Sequence, residues 1–171
     1  VKWILIVVAV IVVVVAIVVA VGYSLPVAHT AQRSATFRAP PDAVWAAITD
    51  VGAYPAWRGD LTSVEQLPPV NGLPAWREVQ KNDRITYNVT RSLPPTTMVA
   101  RIADKGLPYG GEWEYQVAGE GSGTRVTITE RGEVYNPVFR FVSRFIMGQT
   151  STIDRYLEAL GRKFGETTIP S

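Results

Sequence analysis

Glu112-Trp113-Glu114-Tyr115-Gln116-Val117, a glycine-rich break from Gly119 to Gly123, and Thr124-Arg125-Val126-Thr127-Ile128-Thr129 decide the fold. Apolar residues recur at every second position on both sides of the break, the period of a half-buried strand. If Val117 pairs with Thr124, Tyr115 falls opposite Val126, Trp113 opposite Ile128 and Glu114 opposite Thr127. One face is then apolar and aromatic, while Glu112, Glu114, Gln116, Arg125 and Thr129 share the other. The same reading across Pro94-Pro95 pairs Val89 with Met98, Tyr87 with Ala100 and Ile85 with Ile102. Two hairpins thus agree on one greasy face and one wet face, as an antiparallel sheet covered on one side requires.

Working outward, alternation marks further strands at Leu61–Leu67, Ala75–Gln80, Arg84–Arg91 and Thr97–Ala103, and an opening strand at Gln32–Arg38. Turn-rich stretches separate them: Pro68 to Gly72, Asn82-Asp83, Pro94-Pro95 and Gly106 to Gly111. The glycine clusters lie between strands, so they read as hairpin turns and not as phosphate cradles. Pro40-Pro41-Asp42 opens a helix, with proline accepted in the first turn and Asp favoured at the positive end of the dipole. Val44, Ala47, Ile48 and Val51 give it an apolar face. Asn136-Pro137 starts a final helix whose apolar stripe runs Val138, Phe141, Val142, Phe145, Gln149, Ile153, Tyr156, Leu157, Leu160, Phe164. Continuous to Phe164, that helix would be about 40 Å long and would cross a whole sheet. Gly148 in its middle disfavours it by about 1 kcal/mol relative to Ala.

At the amino end, Trp3 to Val21 is an unbroken apolar run behind Lys2, and fifteen of its nineteen residues are Val, Ile or Leu. At about 1.5 Å per residue it spans roughly 28 Å, close to a bilayer's ~30 Å hydrocarbon core. It exceeds the usual h-region of a signal peptide, so an uncleaved single-pass anchor is expected, with a removed signal as the alternative. Lys2 favours a cytoplasmic start and the following domain is expected outside the cytoplasm. The expected divisions are an anchor at 1–22, a linker at 23–31, a folded domain at 32–165 and a tail at 166–171.

Composition closes off much chemistry. Outside Lys2 there are 16 basic and 15 acidic residues, so a pI near 9.0 reflects a small excess and no nucleic-acid partner is expected. With no cysteine, thiol catalysis, disulfides and cysteine–zinc sites are excluded. The one histidine, His29, reads as a solvated linker residue, so a metal site, a resident cofactor or a histidine triad is not expected.

Three stretches carry a resemblance: Ala35-Thr36-Phe37-Arg38-Ala39-Pro40-Pro41-Asp42-Ala43-Val44-Trp45, the turn Tyr54-Pro55-Ala56-Trp57, and Tyr156-Leu157 with Leu160 near the end. With the element order they resemble the START-like (SRPBCC) superfamily of polyketide cyclases/dehydrases and lipid-transfer proteins, over roughly residues 31 to 165. The resemblance implies an α+β helix-grip fold: a curved antiparallel sheet wrapped around a long C-terminal helix, here preceded by one transmembrane helix. It implies an apolar cavity for a lipid or other hydrophobic small molecule, and it transfers no catalytic residue. The glycine-rich loop of plant relatives is absent, since only Gly72 stands among Pro68, Pro69 and Pro74.

The cavity lining expected from inward positions is Trp76, Tyr87, Val89, Met98, Trp113, Tyr115, Phe141, Phe145, Gln149 and Ile153. Each is equally at home as core packing. Glu78 is the sharper candidate. A two-residue turn at Asn82-Asp83 pairs Glu78 with Tyr87 and Trp76 with Val89, and points Glu78 inward beside the Tyr87 hydroxyl. A turn one residue longer sends Arg77 and Val79 inward and leaves Glu78 in solvent; the preference of Trp76 for burial favours the first. An isolated desolvated carboxyl there would favour its proton-bearing form and could orient a ligand hydroxyl or move a proton. Glu112 and Glu114 share the wet face with Arg125 and read as surface ion pairs. The leading expectation is therefore a membrane-tethered domain binding a hydrophobic small molecule or lipid, with Glu78 and Tyr87 as catalytic candidates if it is a cyclase/dehydrase-type enzyme. A tethered adaptor without a ligand is the third reading, and the sequence names no protein partner.

Overall fold

A computed structural model describes residues 2–171. Helix α1 (Lys2–Ser24) is followed by β1 (Ala28–Phe37), α2 (Pro41–Thr49) and a single 3-10 stretch (Val51–Ala56). Six strands then run in succession: β2 (Ser63–Val70), β3 (Leu73–Val79), β4 (Arg84–Leu93), β5 (Thr97–Ile102), β6 (Tyr109–Glu120) and β7 (Gly123–Val134). The chain finishes with α3 (Pro137–Val142), a π turn (Ser143–Met147) and α4 (Ser151–Lys163).

All seven strands form one curved antiparallel sheet in the order β1-β7-β6-β5-β4-β3-β2. The opening strand returns beside the last one, and α4 with α2 covers the concave face. Val44, Ile48, Ile153, Leu157 and Leu160 meet Phe37, Val126 and Ile128 there, all essentially free of solvent. The Tyr54 hydroxyl donates to the Ile48 carbonyl at 2.6 Å, which satisfies the one polar atom that this ring carries into the core.

Inward parity follows the alternation, but every hairpin register is shifted by two residues. Val117 pairs with Val126, Tyr115 with Ile128 and Trp113 with Glu130, because the β6–β7 turn tightens to Gly121-Ser122 between Glu120 and Gly123. Tyr87 pairs with Ile102 and Val89 with Ala100, and a bulge past Val89 absorbs the turn at Pro94-Pro95. Trp76 pairs with Tyr87 and Glu78 with Ile85, since Gln80 and Asp83 close the β3–β4 turn around Lys81-Asn82. A shift of two keeps each side chain on its face, so the expected burial survives the wrong partners. At the sheet edge, β2 continues through Pro68-Pro69, where proline has no ladder partner to lose, and turns at Asn71-Gly72, both at positive φ.

Two ends of the domain differ from expectation. β1 starts at Ala28 and takes in His29, Thr30 and Ala31, leaving Leu25-Pro26-Val27 as the connector to α1. The C-terminal Ser171 exchanges backbone hydrogen bonds with Ser34, N–H to O at 2.9 Å in both directions, and so lies along the free edge of β1.

The final helix is not one rod. Asn136 caps α3, its Oδ1 accepting from the Val138 and Phe139 amides at 2.9 and 3.1 Å. The chain then loosens into the π turn and breaks at Gly148, φ 77° and ψ 146°, a conformation reserved for glycine. α4 alone, 13 residues or about 20 Å, lies across the sheet. The upstream piece packs on α1, where Gly22 meets the Pro137 backbone so closely that no Cβ would fit. Gly148→Ala should therefore cost about 1–3 kcal/mol from backbone strain alone, because the space around it is open. A thermal melt of the full chain in detergent checks this, and an unchanged melt would mean that the break can straighten.

Candidate functional site

The break at Gly148 leaves the concave face uncovered at one end. The result is a cleft of about 380 Å³ between the ends of β4–β7, the start of β1 and the Phe139–Thr152 stretch. Its size falls in the ordinary range for small-molecule sites, about 300–1,000 Å³. Tyr87, Ala100, Ile102, Trp113, Val134 and Phe139 form apolar wall; His29, Gln80, Tyr109, Glu130, Gln149 and Arg155 bring polar groups to it.

Three of the ten expected lining residues stand in this cleft: Tyr87, Trp113 and Gln149. Trp76, Val89, Met98, Tyr115 and Ile153 are buried in the core beneath it, 5% exposed or less. Trp76 stacks on Tyr87 with ring centroids 5.4 Å apart and braces that wall from behind. Phe141 and Phe145 are not in the cleft: their rings pack on one another at 5.0 Å, and Phe145 is 60% exposed. The turn at Gly148 carries them away from the sheet, which a straight helix would not have done.

Glu78 is inward and 4% exposed, as in the favoured of the two registers, yet it is no isolated acid. Its Oε1 accepts from Arg58 Nη1 at 2.8 Å and from Trp76 Nε1 at 3.3 Å, and neither bond goes to Tyr87. Arg58 reaches in from the turn after the 3-10 stretch, donates also to Asp60 at 2.8 Å, and lies over the Tyr54 and Tyr156 rings at 5.3 and 5.5 Å. Burial opposes its charge, but Glu78 and Asp60 outweigh that and hold the guanidinium more firmly protonated than usual. Tyr156 in turn gathers Tyr54, Trp57 and Trp113 edge to face and Tyr115 at a tilt, its ring centroid 5.5–6.2 Å from each. The lower half of the grip is thus filled. The expected Glu78–Tyr87 acid–base pair is replaced by a Glu78–Arg58 ion pair outside the cleft.

The polar pair that does face the cleft escaped the sequence reading. His29 sits in β1 opposite Gly132 and its side chain is 13% exposed, not solvated. Its Nε2 lies 3.6 Å from Glu130 Oε1, and a side chain at Gly132 would occupy the place of the imidazole. Burial lowers the His29 pKa. Burial likewise raises that of Glu130, against a smaller opposing effect of Trp113. Each group is driven towards its neutral form, so the pair can hold or pass one proton. The signal was present: carrying the period of Phe37, Ala35 and Ala31 back by two reaches His29, and carrying Val126 and Ile128 forward by two reaches Glu130.

On the convex face, Glu112 and Glu114 form ion pairs as expected but with other partners. Glu114 accepts from Arg91 at 2.8 Å and Arg131 at 2.9 Å, and Arg131's hydrogen bond holds its carboxyl below the usual range. Glu112 lies 3.4 Å from Arg101 and from Arg131. Arg125 pairs instead with Glu120 across the tightened turn.

Glu130 fixes a pH dependence. Its folded pKa is above the ordinary 4.5, so the folded state binds the proton more tightly than the unfolded one. Its contribution favours folding at low pH and is lost as pH rises past 4.5 through the folded value. His29 has the opposite sign: its folded pKa is below 6.5, so its contribution is complete above 6.5 and is lost as pH falls through the folded value. Glu130→Gln should raise the melting temperature at neutral pH and lose that advantage in acid. Melts across pH check it; equal gains at all pH would disprove the assignment.

A curved antiparallel sheet, a packed terminal helix and an amphipathic cleft where that helix breaks define a helix-grip protein of the START-like type. Residues 28–165 match the family "Polyketide cyclase / dehydrase and lipid transport", and the chain belongs to it. A conserved protein from Geobacillus kaustophilus superposes with a TM-score of 0.67 at 14% identity, covering 83% of this chain and 99% of that one. A START superfamily protein from Mycobacterium smegmatis gives 0.63 at 15% identity, with 79% and 96% covered. The aromatase/cyclase Zhui from a Streptomyces species gives 0.61 at 16%, with 78% and 91% covered. At these identities the likeness is one of fold. No curated protein matches the chain in sequence. α1 adds a helix long and apolar enough to cross a bilayer, a property that signal sequences share.

Proposed function

We propose that this chain is a membrane-tethered binding protein for a hydrophobic small molecule or lipid, held in the cleft beside the helix break. The cleft itself carries the reading: aromatic wall from Tyr87, Trp113 and Phe139, with His29, Glu130 and Gln149 placed to orient one polar group of the ligand. Apolar contact supplies affinity at about 25 cal/mol per Å² removed from water. α1 acts as an uncleaved anchor that raises the domain's concentration at the bilayer, where such ligands reside. The domain lies outside the cytoplasm.

Titrating the full chain in nanodiscs with a brominated fatty acid tests this. Saturable quenching of tryptophan emission that is lost in Trp113→Phe is expected; quenching that only follows the lipid phase would count against it.

One observation favours a second reading, a cyclase/dehydrase-type enzyme. His29 and Glu130 form a proton-carrying pair inside the cleft, with the Tyr87 hydroxyl, its acidity suppressed by burial and by Glu78, as a hydrogen-bond donor. Glu130→Gln would abolish turnover in an enzyme and only shift affinity in a carrier.

A further inference from the structure

From Tyr135 to Ile153 the sequence holds no acidic residue but carries Arg140, Arg144, three phenylalanines and the run Phe145-Ile146-Met147. In the folded chain Phe145, Ile146 and Met147 are 60, 71 and 56% exposed, and Phe139 is 45% exposed. Three consecutive uncovered large apolar residues on one turn form a surface that water does not favour.

Its position supplies the occupant. The segment is pinned to the end of α1: Gly22 packs on Pro137, and Arg140 Nη1 donates to the Leu25 carbonyl at 2.7 Å. The last long apolar run of α1 ends at Val21, and exposed Tyr23 follows, an aromatic at the depth where membrane helices meet headgroups. Whatever holds α1 therefore also holds α3 beside it, and Phe145, Ile146 and Met147 lie in the π turn that continues α3. Among the described residues neither Arg140 nor Arg144 has a carboxylate partner; their bonds go to backbone carbonyls and to Gln149, and Arg140 Nε is buried without any.

A second cavity, about 310 Å³, opens here, lined by Leu25, Pro26, Val27, Arg140 and Arg144. It shares His29, Val134, Ser143 and Gln149 with the ligand cleft. The two cavities are therefore neighbours, set on either side of these shared side chains, with Arg140 and Arg144 on the side nearer α1.

We infer that the Tyr135–Gly148 segment docks on a leaflet carrying anionic phospholipid, Phe145, Ile146 and Met147 entering the acyl boundary and Arg140 and Arg144 engaging the phosphates, so that the cleft opens towards the bilayer. The inference rests on α1 being a membrane anchor. A basic apolar segment of this kind binds an interface through apolar burial together with attraction to anionic lipid.

The absence of cysteine makes any introduced one a unique label. The full chain is reconstituted in vesicles of phosphatidylcholine, with and without phosphatidylglycerol, bearing an environment-sensitive fluorophore at Ile146→Cys. Val12→Cys reports the anchor and Ser122→Cys, at the far hairpin turn, reports solvent. The Ile146 label is expected to brighten several-fold, to be quenched by lipids brominated on the acyl chain, and to respond to phosphatidylglycerol. Arg144→Gln should lower the docked-to-undocked ratio about fivefold in the anionic vesicles. A bilayer-buried Val12 label with a water-like Ile146 label overturns the docking and leaves the anchor standing; water-like labels at both positions remove the anchor as well. Brightening at Ile146 without quenching by brominated lipid would assign the surface to a protein contact and overturn the inference. Indifference to phosphatidylglycerol would remove the arginines from it.

Discussion

Replacing Arg58 by alanine is expected to cost about 3–5 kcal/mol of folding stability, the largest effect of any single polar substitution in this chain. Arg58 and Glu78 have side chains 12 and 5% exposed, and their 2.8 Å contact is the only charge–charge contact that compensates the buried Glu78 carboxylate, while Arg58 also holds the half-exposed Asp60. Removing the guanidinium leaves the Glu78 carboxylate buried with a single bond from Trp76 at 3.3 Å. It also uncovers the Tyr54 and Tyr156 faces on which the cation rests. Arg58→Met combined with Glu78→Gln should recover most of the loss, because the amide keeps an acceptor for Trp76 and no charge remains inside. Thermal or denaturant unfolding of the full chain followed by near-UV circular dichroism reads both variants. A loss under about 1 kcal/mol for Arg58→Ala would place the pair in water, in the range of surface salt bridges.

The second large effect concerns the ligand. Thr152 is exposed on the first turn of α4 and borders the cleft opposite the Tyr87–Trp113 wall. Thr152→Trp should fill the opening from the helix side without disturbing the core, since its neighbour Ile153 carries the packing. Loss of the space for one ring-sized group should weaken binding of an apolar ligand by at least about tenfold, roughly 1.4 kcal/mol. Stability should be unchanged. If affinity is retained, the ligand does not sit between the sheet and the break.

The architecture was legible because it rests on parity. The alternation of Trp113, Tyr115 and Val117, and of Ile85, Tyr87 and Val89, assigns faces whatever the turn does, and registers displaced by two residues leave those faces intact. The registers themselves were not legible. They follow from which residues close each turn, and Gly119 to Gly123 allows more than one closure. The terminal helix hid its break for a different reason. Its apolar stripe keeps helical spacing from Val138 to Phe164, although the first half serves α1 and the second serves the sheet. Gly148 is visible as a weak position, but nothing local distinguishes a tolerated glycine from a break.

That break also explains the partial reading of the site. Trp76, Val89 and Met98 follow their strands inward and end as core, while Phe141 and Phe145 follow α3 outward. Alternation alone starts the strand at Gln32 and leaves His29 in the linker; only pairing with β7 extends it to Ala28. Arg58 lies in an irregular turn where periodicity gives no direction, so its closure of the inner half of the grip could come only from tertiary structure.

Native mass spectrometry of the full chain released from nanodiscs tests the central proposal most directly. If the cleft beside Gly148 holds a hydrophobic molecule, the wild-type spectrum shows the chain with one additional bound mass of lipid or small-molecule size, and Thr152→Trp shows the bare chain. A wild-type chain that is always bare, or a bound mass that Thr152→Trp carries equally well, would contradict it.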